Sequence, residues 1–330
     1  PVTPPASRYC TMTVAWRSES YPTLIDPAFE TTGSMSSARY MHTASRLQDG
    51  SVLIAGGIGS GNSFLATAEA WKAGTFAAAG AMSAARYMHT ATALNDGRVL
   101  VVGGYSTGYL SSVEQWSSGV FSPAGSLPQA RGSHAATLLP DGRVLVVGGR
   151  NDGGSLGSSF TWETGGIASS GNLVTARSGH NATLLLDGRV LVTGGYSGTS
   201  LLGSAEVWSS GAFQSAGNSP VPAAGAAALL PDGRVLDVGG MTQSGNAKGT
   251  AEIWAAGSFS TGGTMSTPRA GMSATALQDG RVLVVGGTDQ AVQYKASAEI
   301  WTSGSFLPTG SMTVARAYHT ATLLLDGKVL

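Results

Sequence analysis

The sequence predicts an all-β fold, a seven-bladed β-propeller of four-stranded antiparallel blades, and three observations carry that expectation. Asp-Gly recurs at 49, 96, 141, 187, 232, 279 and 326, at spacings of 45 to 47 residues. Each interval holds short apolar runs bounded by turn residues, the pattern of strands and not of helices. Six of the seven tryptophans occupy one slot of the interval, and Trp16 fits the same slot in the N-terminal segment. A four-stranded unit of this length, apolar on both faces, cannot cover itself and must stack on copies of itself around an axis.

Within a unit the elements follow in a fixed order. The first strand, typified by 319–324, follows Arg-x-x-His, and Asp-Gly then makes a tight hairpin because both residues tolerate positive φ. The second strand is typified by Val99–Val102 and ends at Gly103-Gly104, where the absent Cβ atoms permit a bend or close backbone packing. The third strand ends at Trp71, Trp116, Trp162, Trp208, Trp254 or Trp301. The fourth centres on Phe76, Phe121, Ile167, Phe213, Phe259 or Phe306.

Composition narrows the function classes. Glycine is 48 of 330 residues and charged residues only 12%, against a usual ~25%, so the chain is rich in turns and poor in charge. At 42% apolar it can still build a core. Nineteen basic residues balance nineteen acidic ones, giving no electrostatic reason for a nucleic-acid partner. No apolar stretch reaches the ~20 residues of a membrane span. Cys10 is the only cysteine, which excludes an intrachain disulfide and a thiolate cluster. Lysine is sparse while Ser, Thr, Gly and Ala abound, the composition of an exported bacterial protein, extracellular or periplasmic. Glycine-rich stretches such as 56–59 end strands without opening a helix, so they are not phosphate loops.

The motifs His-x-Ala-x-Leu-Leu, Asp-Gly-Arg-Val-Leu-Val-Val-Gly-Gly, Ala-Glu-Ile-Trp and Gly-Ser-Phe resemble kelch repeats over nearly the whole chain. Many such repeats carry Tyr on the third strand and Trp on the fourth; here they are Trp and Phe. The resemblance implies a ring closed by strands from both termini. The expected organisation is a single propeller over 1–330: an N-terminal extension 1–10, outer strands of the closing blade 11–35, six full blades 36–310, and inner strands of the closing blade 311–330. Trp16 and Phe29 would mark its outer half. The last unit stops at Val329-Leu330, before its Gly-Gly, which is compatible with a longer chain or a larger assembly.

That last unit, Arg316-Ala-Tyr318-His319 followed by Leu-Leu-Leu-Asp-Gly, is also similar to a segment of galactose oxidase-like copper radical oxidases. By that resemblance Tyr318 and His319 would be copper ligands. The same resemblance calls for a cysteine cross-linked to a second tyrosine and a further histidine from a following domain. Cys10 lies outside the repeats, and no second Tyr stands in register, though Tyr40 and Tyr87 sit one position earlier. No cofactor is therefore expected.

Most charged and titratable residues belong to the repeat. His42, His89, His134, His180 and His319 share one slot, in which Gly225 and Met272 replace them. Arg39, Arg86, Arg131, Arg177, Arg269 and Arg316 share another, and are expected to pair with Glu69, Glu114, Glu206, Glu252 and Glu299 between sheets. The fifth unit departs: Pro222 replaces Arg, Gly225 replaces His, and Asp237 stands where other units have Ile or Val. A carboxylate there needs a partner or water, so Asp237 is either a functional site or a side chain facing space left by Gly225. The insertion around 17–28 is either a terminal loop or, with Tyr21, part of a binding face. The loops between Gly-Gly and Trp, which hold Tyr105, Arg150 and Tyr196, are rich in Ser, Gly and Tyr and suit hydrogen bonding and stacking on a protein or glycan. The reading is a non-catalytic binding or scaffolding module. A carbohydrate-active enzyme, lyase-like or galactose oxidase-like, and a structural component of a surface assembly are the alternatives.

Overall fold

The computed structural model describes residues 10–13, 28–289 and 293–330. Among them are six four-stranded antiparallel sheets, each in simple meander order. The first blade runs Thr43–Arg46, Val52–Ala55, Thr67–Lys72 and Thr75–Ala81, and the five that follow repeat it, ending with Ser273–Ala276, Val282–Val285, Ser297–Thr302 and Ser305–Ser311. Successive first strands lie side by side around the axis. The fold is all-β, a β-propeller.

Among the described residues the expected seventh four-stranded blade is not formed, and the blade number is six. Cys10–Thr13 and Ala28–Thr31 make a separate two-stranded sheet, while Leu323 and Val329 make a single bridge. Beside that bridge Thr322 and Leu330 exchange two backbone hydrogen bonds of 2.9 Å. The joining of both termini in one sheet, marked by Trp16, falls partly on residues outside the described ones. The C-terminal segment nevertheless stands between the sixth blade and the first. Tyr318 N–H donates to Gly271 O at 2.8 Å and Met41 N–H to Tyr318 O at 3.0 Å.

The core lies between blades. All four residues of the second strand are buried in the first, second, third, fourth and sixth blades, because neighbours cover both faces of the sheet. This is why those strands read as unbroken apolar runs and do not alternate. Leu236, Val238 and Ile253 of the fifth blade thus pack against Val282, Val284 and Trp301 of the sixth. In the second to sixth blades the tryptophan also ties its blade to the one before: Trp116 Nε1 donates to Ala79 O at 2.9 Å, Trp254 to Ala216 O at 2.8 Å and Trp301 to Gly262 O at 2.7 Å.

The arginine slot makes a second stitch. Arg39 reaches Glu69 at 2.9 Å, Arg177 reaches Glu206 at 2.7 Å, Arg269 reaches Glu299 at 2.8 Å, and Arg86 pairs with Glu114; all eight side chains are buried. The expected Arg–Glu pairing is therefore present in four blades. The same arginine holds the preceding blade through its carbonyl, as in Gly57 N–H to Arg86 O at 2.9 Å. At Gly57, φ is +94°, and an added Cβ would meet Tyr40 O at 2.7 Å, so this turn needs glycine.

Candidate ligand-binding face

The strand order gives the ring two unlike ends. One carries the Asp-Gly hairpins. There the carboxylate of each hairpin Asp accepts the N–H two residues on, as in Arg143 N to Asp141 Oδ1 at 3.0 Å, and in five hairpins it also pairs with the arginine that follows. Those charges are spent within their own turns. At the other end the loops after each Gly-Gly meet the loops that enter each blade, through the bridges Tyr40 with Ile58, Tyr87 with Tyr105, Gly132 with Arg150, Ser178 with Tyr196 and Ala270 with Thr288. Tyr105, Arg150 and Tyr196 therefore occupy one repeated position on one face.

All seven tyrosines among the described residues (Tyr40, Tyr87, Tyr105, Tyr109, Tyr196, Tyr294, Tyr318) lie in the loops of this face. Four rings form one cluster: Phe64, Tyr87 and Tyr105 make a triangle with centroids 4.9, 5.8 and 6.3 Å apart, and Tyr109 meets the edge of Tyr105 at 5.0 Å. Tyr40 Oη lies 3.3 Å from the Asn62 side-chain oxygen. Several rings rest on glycine. A Cβ at Gly132 would sit 3.2 Å from the Tyr109 ring, and one at Gly271 would sit 2.9 Å from that of Tyr318. Burial, with Tyr105 and Tyr109 adding to it, raises the Tyr87 pKa above the usual phenol value, and burial with Tyr318 does the same for Tyr196. These hydroxyls stay protonated at neutral pH. Arg150 is exposed and within electrostatic reach of Tyr87.

Asp237 is buried and lies outside this cluster, among Thr193, Ser219, Lys248 and Glu252. It stands directly across the strand from Glu252, an unfavourable like-charge pairing. Lys248 relieves it: its Nζ lies 3.2 Å from Glu252 Oε2 and 3.0 Å from Val221 O. A cavity of about 10 Å³ lies between the fourth and fifth blades, lined by Thr193, Ser219, Asp237, Lys248 and Glu252 among others. It has room for about one water molecule and not for a substrate. Burial, the largest influence, pushes the Asp237 carboxyl up to about 6, against the pull of Lys248 and of the nearby Thr193 hydroxyl, which meets no partner at full hydrogen-bonding geometry. Lys248 escaped the sequence reading. The available signal was a lysine at a slot that holds leucine in the first four blades, in the one unit that lacks the arginine.

The histidines lie beneath the face and join blades. His42 Nε2 lies 3.0 Å from Thr320 Oγ1, His89 Nε2 3.1 Å from Thr43 Oγ1, His134 Nε2 2.9 Å from Thr90 Oγ1 and His319 Nε2 3.2 Å from Ser273 Oγ. Burial holds His42, His89 and His180 at about 3 and His319 at about 4, so the rings are neutral. The pair Tyr318 and His319 does not fit a copper centre. His319 points into the seam with its Nε2 against Ser273, and no group of three His, Cys, Asp or Glu that could hold a metal occurs among the described residues. Tyr21 and most of the 17–28 insertion lie outside the described residues. Phe64, Tyr87 and Tyr109 complete a cluster of which the sequence reading put Tyr105 alone forward for binding.

No protein-family model and no curated protein matches the chain. Among solved structures it is similar to a novel fungal alcohol oxidase of the AA5 family in complex with copper: 17% identity, TM-score 0.71, covering 88% of this chain and 69% of that one. A second similar structure is that of YjhT, at 14% identity and TM-score 0.59, covering 74% of this chain and 92% of that one. The chain is a β-propeller. At these identities the likeness extends to the fold and not to the site, and the kelch reading remains a resemblance of motifs. No helix among the described residues is long and apolar enough to cross a membrane.

Proposed function

We propose that this propeller is a non-catalytic binding module that takes its ligand on the tyrosine face. The observation that carries the reading is the sidedness of the ring. The described tyrosines gather at one end, while the hairpin charges of the other end are neutralised within their turns. Half-buried aromatic rings offer stacking area at small entropic cost. A propeller lyase would need histidine beside Tyr105, Tyr196 and Arg150. The histidines are instead buried in the seams, which favours binding over catalysis. The composition fits an exported bacterial protein, and this reading places the module outside the cytoplasm.

The test compares the two ends. A double variant Tyr87→Ser, Tyr105→Ser and a control Arg143→Ser, Arg189→Ser are assayed against arrays of glycans and of cell-surface proteins. Loss of the parent's ligand only in the tyrosine variant is expected. Retention by that variant, or equal loss in the control, overturns the reading.

A further inference from the structure

We propose that the seam between the fourth and fifth blades binds a single monovalent cation on the oxygens of Asp237, Thr193 and Glu252. These three side chains line the one-water cavity, with Ser219 and Lys248 beside them. Two side chains there are left short of partners. The Thr193 hydroxyl, in a residue 2% exposed, meets no partner at full hydrogen-bonding geometry. Asp237, 8% exposed, has no ion pair of its own among the described residues, because the Lys248 ammonium goes to Glu252 Oε2 at 3.2 Å and to Val221 O at 3.0 Å. Ser219 is also committed, donating from Oγ to Glu252 Oε2 at 2.5 Å.

The sequence accounts for this seam. At Gly56, Gly103, Gly148 and Gly286 an added Cβ would meet Cε1 of the next unit's histidine at 2.7 to 3.0 Å, and at Gly239 it would meet the Met272 methyl. At Gly194, which lines the cavity, it would meet no such side chain, since Gly225 holds the histidine slot. Pro222 removes the arginine as well, so one seam lacks both an imidazole and a guanidinium and has gained a carboxylate. Two carboxylates against one ammonium leave one buried negative charge uncompensated. Arg177 does not supply the balance: it reaches Gly194 O at 3.0 Å, but its charge is matched by Glu206 at 2.7 Å. A water molecule would satisfy the Thr193 hydroxyl and leave that charge, whereas a divalent ion would overshoot it beside Lys248. A monovalent cation on hard oxygen donors meets both demands. It would tie Thr193 of the fourth blade to Asp237 and Glu252 of the fifth. It would also brace Leu202 and Gly203, cavity-lining residues that end the loop carrying Tyr196 on the tyrosine face.

The experiment is thermal melting of the full chain at pH 8 and constant ionic strength, in sodium, potassium or ammonium chloride against choline chloride, whose cation is too large to enter. A midpoint at least about 2 °C higher in one of the three small-cation salts is expected, rising with its concentration until the site saturates. Asp237→Val restores the residue that Val101, Val146 and Val192 supply in other blades. That variant and Thr193→Val should melt cooperatively and lose the difference between salts. Asp187→Asn, a control in a hairpin at the other end of the ring, should keep the parent's response. A parent indifferent to the small cations would mean that the cavity takes only water and would overturn the proposal. Salt discrimination that survives in Asp237→Val, or stabilisation by calcium and by none of the monovalent ions, overturns it too.

Discussion

Lys248 Nζ stands 3.2 Å from Glu252 Oε2, both side chains buried, where four other blades set an arginine against the same glutamate. The fifth blade has lost its arginine to Pro222 and recruited a lysine from four residues before the glutamate. The seam keeps its cation, and the one-water cavity marks where a guanidinium has been exchanged for a smaller ammonium. The same seam holds Asp237, so two carboxylates share one cation.

Removing that cation should be costly. Lys248→Met leaves Glu252 and Asp237 buried with no counter-charge, and urea denaturation is expected to show a loss of about 3–5 kcal/mol. The double variant Lys248→Met, Glu252→Gln should lose less than the two single changes added together. Additive losses would show that the pair is not coupled.

Asp237 should weaken the fold at neutral pH. Its carboxyl is raised from the ordinary 3.8 to about 6. Between those values the native state holds a proton that the unfolded chain has released, so this contribution is full below pH 3.8 and lost as pH rises through about 6. The loss amounts to about 3 kcal/mol. Asp237→Asn is expected to match the parent at pH 4 and to exceed it by about 1–3 kcal/mol at pH 7.5, read as the difference between the two stability profiles. A constant difference across that range would show that the aspartate does not titrate in the seam.

The third blade predicts a contrast among the arginines. Phe160 occupies its glutamate slot, and the Arg131 guanidinium lies 4.8 Å from the ring centroid. Burial lowers the Arg131 pKa to about 10, with no carboxylate to offset it. Arg86→Met strands Glu114 and should cost about 3–5 kcal/mol. Arg131→Met strands no acid and loses hydrogen bonds to Gly148 O, Ser158 O and Ser158 Oγ, so it should cost clearly less. Equal losses in chemical denaturation would mean that these backbone contacts, not charge pairing, set the value of the slot.

The repeat was legible because each blade must present the same groups to its neighbours. Asp141-Gly142, the Val144–Val147 run and Trp162 sit where their spacing places them. The blade number was not legible, because slot matching placed Phe29 and Leu323 in one unit without testing whether strands would pair between them. Phe29 packs on the cluster holding Leu283 and Val329, and Leu323 packs there too, yet no ladder joins the two segments. The tyrosine cluster was half legible: Tyr105 follows a Gly-Gly, and Phe64 and Tyr109 each stand one residue before the leucine slot, but the contacts of both rings with Tyr105 exist only in the folded chain. Asp237 was visible as an oddity, whereas its partner Lys248 required the structure.

The histidines set the acid limit of the fold. Burial holds His42, His89 and His180 at about 3, His319 at about 4, and His134 well below its ordinary value of 6.5. Below pH 6.5 the unfolded chain takes up protons that the native seams refuse, so stability is lost as pH falls from 6.5 towards the native values. Each ring contributes about 1.4 kcal/mol per pH unit, and five together outweigh the opposite effect of Asp237. Cooperative acid unfolding near pH 5, with uptake of several protons, is expected in urea midpoints measured from pH 8 to 4. His180 offers the cleanest check, since its Nε2 meets no hydroxyl and Ala135 stands where Thr43 and Thr90 serve its counterparts. His180→Met, the residue that Met272 already supplies in the sixth blade, should keep stability at pH 8 within about 1 kcal/mol and flatten the acid slope by one proton. His89→Met should cost more, because the buried seam keeps the Thr43 hydroxyl without its imidazole. An acid slope unchanged in His180→Met would show that this imidazole already carries its proton in the native seam.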